Sequence, residues 1–164
     1  MLETYVTKNE YIDYILQTYS NMIFRLAISI TKSKDNSEDI MQEVFMRYIK
    51  KNPDFANKEH EKAWFLRVTI NCSKKLMYSA WNRHTVELGE DFKFEDKEID
   101  EIYSIVLKLP KKYRETIHLF YYEDLSINKI SEILNEKEGT IKSRLSRARD
   151  MLKNMMKGGK WDEE

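Results

Sequence analysis

The chain has 164 residues, with 28 basic residues against 28 acidic ones and a formal net charge of zero. That balance excludes reading a partner from bulk charge, so local charge must carry the information. Four glycines, two prolines and one cysteine favour helices with short connections, and they exclude an internal disulfide. Cys72 alone suits a reducing, cytoplasmic setting. Residues 1–10 are polar and do not resemble a signal peptide. No apolar run approaches the roughly 20 residues of a membrane span, so no membrane insertion is expected. The apolar share of 41% can build a core, or two small ones.

In chain order, Ile12, Ile15, Leu16, Tyr19, Ile23, Leu26 and Ile30 recur at helical spacing and predict a first helix over 10–31. Residues 33–37 read as a turn, with Asp35 or Ser37 capping a second helix that stops before Pro53. Residues 54–59 are a polar loop. A third helix is predicted over 59–80, with Trp64, Phe65, Val68 and Leu76 as core members. From 86 to 101, eight acidic residues face only Lys93 and Lys97, a net charge of −6. Periodicity is weak there, which predicts a solvated flexible linker whose acids could shield a basic surface. Four short helices follow at 99–108, 111–122, 126–134 and 138–156. Pro110 separates the first two, and Gly158-Gly159 ends the fold. The expected class is all-α: two small helical domains, 1–83 and 101–164, joined by the acidic linker 84–100.

The stretch EGTIKSRLSRAR (138–149) places Ile141, Leu145, Ala148 and Leu152 on one narrow stripe that must be buried. The opposite arc holds Lys142, Ser143, Ser146, Arg147 and Asp150, flanked by Arg144 and Arg149. Upstream, Ile127, Ile130, Ile133 and Leu134 form a short apolar helix. Ser126 is its expected N-cap, and Asn135 its left-handed end. Short helix, tight turn and second helix with a basic, hydroxyl-rich arc make a helix-turn-helix pattern. Such an arc suits a major groove, where Arg and Lys reach guanine edges or phosphates. A charged arc is by default only a solvated face. Here Asp150 alone opposes Lys142, Arg144, Arg147, Arg149 and Lys153, which favours DNA.

Two other stretches stand out. SEDIMQEVFMRYIK (37–50) sets an apolar stripe of Met41, Val44, Phe45 and Tyr48 against Asp39, Gln42, Glu43, Met46 and Lys50. Acid, amide and exposed methionine together suit a protein-docking face, although an ordinary solvated stripe explains this helix equally well. HEKAWFLRVTINCSKKLMYSAWNRH (60–84) interleaves Trp64, Phe65, Tyr78 and Trp81 with Lys62, Arg67, Lys74, Lys75 and Arg83. Aromatic platforms with cations suit unpaired bases, but Trp64 and Phe65 serve a core equally well.

In this order the pieces resemble the extracytoplasmic-function (ECF) group of bacterial RNA polymerase sigma factors, within the sigma-70 family. SEDIMQEVFMRYIK is similar to the family's D-x-x-Q-E-V-F helix, and AWFLRVTINC to its W-L-x-x-I-x-x-N segment. LPKKYRETIHLFYYEDLSINKISEILNEKEGTIKSRLSRARDML is similar to its promoter-binding C-terminal domain. The resemblance implies core RNA polymerase, promoter DNA (duplex and melted strand) and an anti-sigma factor as partners, with no cofactor or metal. It implies polymerase docking by Asp39, Gln42, Glu43 and Met46. It implies minus-ten contacts by Asn57, Lys58, His60, Lys62, Trp64, Arg67, Asn71, Lys74 and Lys75, and minus-thirty-five contacts by Thr140, Lys142, Ser143, Ser146, Arg147 and Arg149. Lys129, Glu136 and Lys137 depart from the family pattern, and the last two, at the start of the recognition helix, predict a less rigid entrance to it.

A helix-turn-helix regulator acting without polymerase would explain 126–156 but leave 37–50 and 60–84 unused. An enzyme is disfavoured. His60, His84 and His118 are scattered, HEKAW lacks the second His of a zinc-protease helix, and Cys72 has no evident base.

Overall fold

A computed structural model describes residues 7–83 and 97–157, with side chains for 7–79 and 101–157. Residues 84–96 of the expected linker 84–100, with most of its acids, lie outside the described residues. Every regular element among the described residues is helical.

The first domain is three long helices: α1 (Lys8–Thr31), α2 (Lys34–Lys51) and α3 (Lys58–Arg83). Thr7 opens α1 with a reciprocal capping box to Glu10. Lys32 ends α1 in the left-handed region (φ 55°), and Ser33 at once caps α2 by accepting from the Asn36 amide. The cap is therefore Ser33, not Asp35 or Ser37. Ser37 is buried against Thr31, with 3.2 Å between the hydroxyls. Asn52 closes α2 at φ 44°, just ahead of Pro53 as expected. Asn57 then caps α3, its Oδ1 accepting from the His60 amide at 2.8 Å.

The second domain contains α4 (Lys97–Val106), α5 (Lys111–Ile117), α6 (Ile127–Leu134) and α7 (Glu138–Lys157). Helix α4 begins inside the stretch read as linker. Helix α5 runs on into a π-helical turn at His118–Tyr122, so the segment expected as one helix over 111–122 changes pitch halfway. Ser126 and Asn135 (φ 53°) bound α6 as the sequence predicted.

Two apolar clusters form, but they do not divide one per domain. The first lies wholly within α1–α3 and centres on Phe65, which stacks on Tyr19 with ring centroids 4.5 Å apart. The second joins Leu26, Ile30, Leu66 and Ile70 of the first domain to Val106, Leu109, Ile117, Ile130, Ile141 and Leu145 of the second. Burying each large apolar side chain is worth about 1.5–3 kcal/mol. An exposed ion pair contributes roughly 0–1 kcal/mol. The shared core, more than the charges at its rim, thus holds the two halves together. Among the described residues no helix is long and apolar enough to cross a membrane.

Candidate nucleic-acid and protein-docking surfaces

Helix α7 buries Ile141, Leu145 and Ala148 and half-buries Leu152. Lys142, Ser143, Ser146, Arg147 and Arg149 are exposed on the other side, and Thr140 is half-buried at the helix entrance. Two contacts brace that entrance: Arg144 pairs with Glu136 at 3.1 Å, and Asn128 donates to Glu138 at 2.9 Å. The less rigid entrance expected from Glu136 and Lys137 is therefore offset by Glu136 itself. Lys129 meets Glu59 of α3 at 3.5 Å and Glu132 at 3.6 Å. Arg149 is not a loose rim charge. Its Nε donates to the Tyr121 hydroxyl at 2.7 Å, and its guanidinium lies over Phe120 and Tyr121.

On α2, Asp39, Gln42, Glu43 and Met46 are exposed, Met46 by 62%. Glu43 accepts from Arg47 at 3.1 Å. Asp39, Glu43 and Arg47 line a cleft of about 400 Å³ together with Cys72, Lys75 and Leu76 of α3. Lys75 thus stands beside the acidic stripe, apart from the other bases of α3.

Arg67, Asn71 and Lys74 are exposed on α3. Their spacing of four and three residues puts them on one face, and Tyr78, 70% exposed, continues it four residues on. Tyr78 is not among the residues expected to contact the minus-ten strand, and the spacing 67, 71, 74, 78 is the sequence signal that adds it to this face. Trp64 is half-buried and packs edge-on against Tyr48, Phe55 and Phe65, so the core use of this residue dominates.

At the start of α3 the candidate residues are already engaged. The His60 ring accepts from the Ala56 amide at 3.2 Å and meets Phe55 edge-on. Lys58 donates to the Tyr14 hydroxyl at 2.7 Å. Lys62 donates to the Glu123 carbonyl of the second domain at 2.8 Å, with the Glu123 carboxylate 3.7 Å away. Between them lies Glu61, buried, accepting from the Tyr11 and Tyr19 hydroxyls at 2.7 Å each. Burial, followed by the bond to Glu61, pushes both phenols well above their ordinary pKa, so they stay neutral donors. Glu61, Lys58, Asn57, Phe55 and Tyr48 line a polar cleft of about 470 Å³. Nothing in the residue pattern marked Glu61 as buried, because its two partners lie 42 and 50 positions away.

Behind the helix-turn-helix sits a buried polar chain. The His118 ring meets the Tyr103 hydroxyl at 2.7 Å and Glu123 at 3.2 Å. Tyr103 donates onward to the Arg25 carbonyl of α1 at 3.3 Å.

Comparison with known proteins follows this division. Residues 15–83 match the model of sigma-70 region 2, and residues 99–152 that of sigma-70 region 4. The chain is 33% identical to the ECF RNA polymerase sigma factor SigM of Bacillus subtilis, over 93% of this chain and 99% of that protein. It is 30% identical to SigW of the same organism, over 87% of each. Its fold is similar to the sigma factor RpoE of Bartonella quintana, solved with the anti-sigma factor NepR (TM-score 0.71, 21% identity, 88% of this chain and 96% of that one). It is also similar to CnrH, solved with the cytosolic domain of CnrY (TM-score 0.68, 18% identity, 92% and 90%).

Proposed function

The chain belongs to the ECF group of the sigma-70 family, and from that membership we propose how its surfaces divide the work. It is a sigma factor: it binds core RNA polymerase, recognises promoter DNA and initiates transcription. It acts as a regulatory subunit, and the nucleotide chemistry belongs to the polymerase. It works in the cytoplasm, where the polymerase is. An anti-sigma factor is a further partner in this reading, as NepR is for the RpoE relative.

Residues 1–83 dock and melt, and residues 101–164 read duplex DNA. Asp39, Gln42, Glu43 and Met46 meet the polymerase. Asn57 and Lys58 line the cleft that takes an unstacked minus-ten base, His60 and Lys62 follow them at the start of α3, and Arg67, Asn71 and Lys74 follow the melted strand along that helix. Tyr78 joins them as a stacking platform. Lys142, Ser143, Ser146 and Arg147 read the minus-thirty-five groove, with Thr140 and Arg149 at its phosphate edges. The observation that carries this reading is the exposed basic and hydroxyl arc of α7, opposite a fully buried Ile141, Leu145 and Ala148.

Lys62 cannot serve a melted strand while it holds Glu123. The closed arrangement is therefore the unengaged one, and the two domains separate on the promoter. A DNA shift assay with and without core polymerase tests the assignment. Promoter-specific binding that requires the polymerase supports it. Equal specific binding by the chain alone would favour a free-standing helix-turn-helix regulator.

A further inference from the structure

An apolar groove of about 610 Å³ runs between α4, the end of α5 with its π-helical turn, and the last turns of α7. Its apolar wall includes Ile102, Val106, Ile117 and Met156. Ile102 is 45% exposed and Tyr121 53%, so large apolar side chains stand open to water. Its other wall is basic. Arg149, Lys153 and Lys157 line it at four-residue intervals, which places them in one row along α7.

The chain continues past α7 as GGKWDEE (158–164). This segment holds one large aromatic, Trp161, followed directly by Asp162, Glu163 and Glu164. Apolar groove meets indole, and basic row meets acidic run. The reach is adequate. Trp161 is four residues beyond Lys157, a span of up to about 13 Å. Running back along α7 from Lys157 to Arg149 covers about 12 Å. The reversal that this requires falls on Gly158-Gly159, the residue type that adopts left-handed turn conformations without steric cost.

We propose that the segment 158–164 folds back onto its own domain, seating the Trp161 indole among Ile102, Ile117 and Met156 and its acids along Lys153 and Lys157. The tail then acts as an intramolecular occupant that any protein docking on this groove must displace. It also lowers the positive potential beside Arg149 until it is displaced.

Methyl NMR on the full chain, labelled at Ile and Met, tests this. The Ile102, Ile117 and Met156 methyls should carry an upfield ring-current shift in the wild type. Trp161→Ala should abolish it, and Trp161→Phe should retain part of it. Ile15 and Ile23, in the other cluster, should not move. Neutralising the acids (D162N, E163Q, E164Q) should move the groove methyls part of the way toward the Trp161→Ala positions. Coincident groove spectra for wild type and Trp161→Ala overturn the proposal. Ring-current shifts that grow with protein concentration also overturn it, because they place the tail of a second copy in the groove.

Discussion

Arg114 places its guanidinium Nε 2.7 Å from the carbonyl oxygen of Ser29, so a side chain of the second domain caps the last turn of α1 in the first. A second guanidinium nitrogen donates to Ile30 O at 3.1 Å, and the third to Leu109 O at 2.7 Å. The last turn of α1 has no basic residue of its own. Arg114 therefore supplies the positive charge that the helix C-terminus favours, and it satisfies carbonyls that the helix leaves unpaired. Burial lowers the pKa of Arg114, yet a guanidinium remains charged under any ordinary condition.

Arg114→Met keeps much of the apolar stem and removes three donors. Loss of stability should be about 2–4 kcal/mol, since hydrogen bonds from a charged group contribute roughly 1.5–3 kcal/mol and buried carbonyls are left without partners. The variant should also populate an opened arrangement. Urea unfolding and a fluorescence-transfer pair on residues 20 and 128 check the two effects. An unchanged inter-domain distance would show that the shared core holds the domains closed without this residue.

Glu115 gives a pH signature. It is buried, and its Oε2 has no hydrogen-bond partner in the structure. Burial raises its pKa, and Lys74 and Lys111 offset that only in part. For an acid raised on folding, the protonated form is the better tolerated one in the fold. Its penalty is absent below the unfolded-state pKa near 4.3 and grows as pH rises through the higher folded value. Glu115→Gln should therefore be more stable than wild type at pH 7, by about 1 kcal/mol, and the advantage should vanish near pH 4. Thermal unfolding across pH checks this, and a gain that persists at low pH would contradict it.

Promoter reading separates three residues of α7. Arg147→Ala should cost about 1–3 kcal/mol on the preferred site and relax the preference at one base pair. Arg149→Ala should weaken all sequences alike and lower the salt slope by roughly one unit. Tyr121→Phe, which removes the hydroxyl that holds Arg149, should reproduce a fraction of that uniform loss. Leu145→Ala, at a fully buried position, should destabilise the fold by about 2–5 kcal/mol. Selection from a minus-thirty-five library at two salt concentrations reads the three binding effects, and urea unfolding reads the fourth.

Docking should be separable from folding. The Glu43–Arg47 pair is exposed and spaced i,i+4, worth about 0.3–0.5 kcal/mol. Asp39→Ala with Glu43→Ala should thus leave unfolding nearly unchanged while weakening core polymerase binding by about 2 kcal/mol or more. Full polymerase affinity in the folded double variant would move the docking face elsewhere.

Local features were legible in the sequence because local physics fixes them. The Ser126 and Asn135 caps, the stop before Pro53 and the buried stripe of α7 all follow from spacing and residue type within one element. Ser33 was missed as a cap because Asp35 and Ser37 are equally suited by type, and only the left-handed Lys32 decides among them. Arg114, Glu61 and the Lys62–Glu123 contact were invisible for a different reason. Each joins residues 42 to 85 positions apart, and no periodicity encodes which helices meet. The joint core failed to show for the same reason: Leu26 and Ile30 read as ordinary members of one amphipathic helix. On α2 and α7 the exposure of the candidate side chains followed from the helical wheel, whereas the engagement of Lys58, His60 and Lys62 at the start of α3 did not.

The most direct test of the central claim is run-off transcription with core RNA polymerase on a randomised promoter library, with and without this chain. Transcripts should require the chain and share a minus-thirty-five and a minus-ten element, the first losing one base preference in Arg147→Ala. Transcription unaltered by the folded chain, from a polymerase competent with another sigma factor, would contradict the claim.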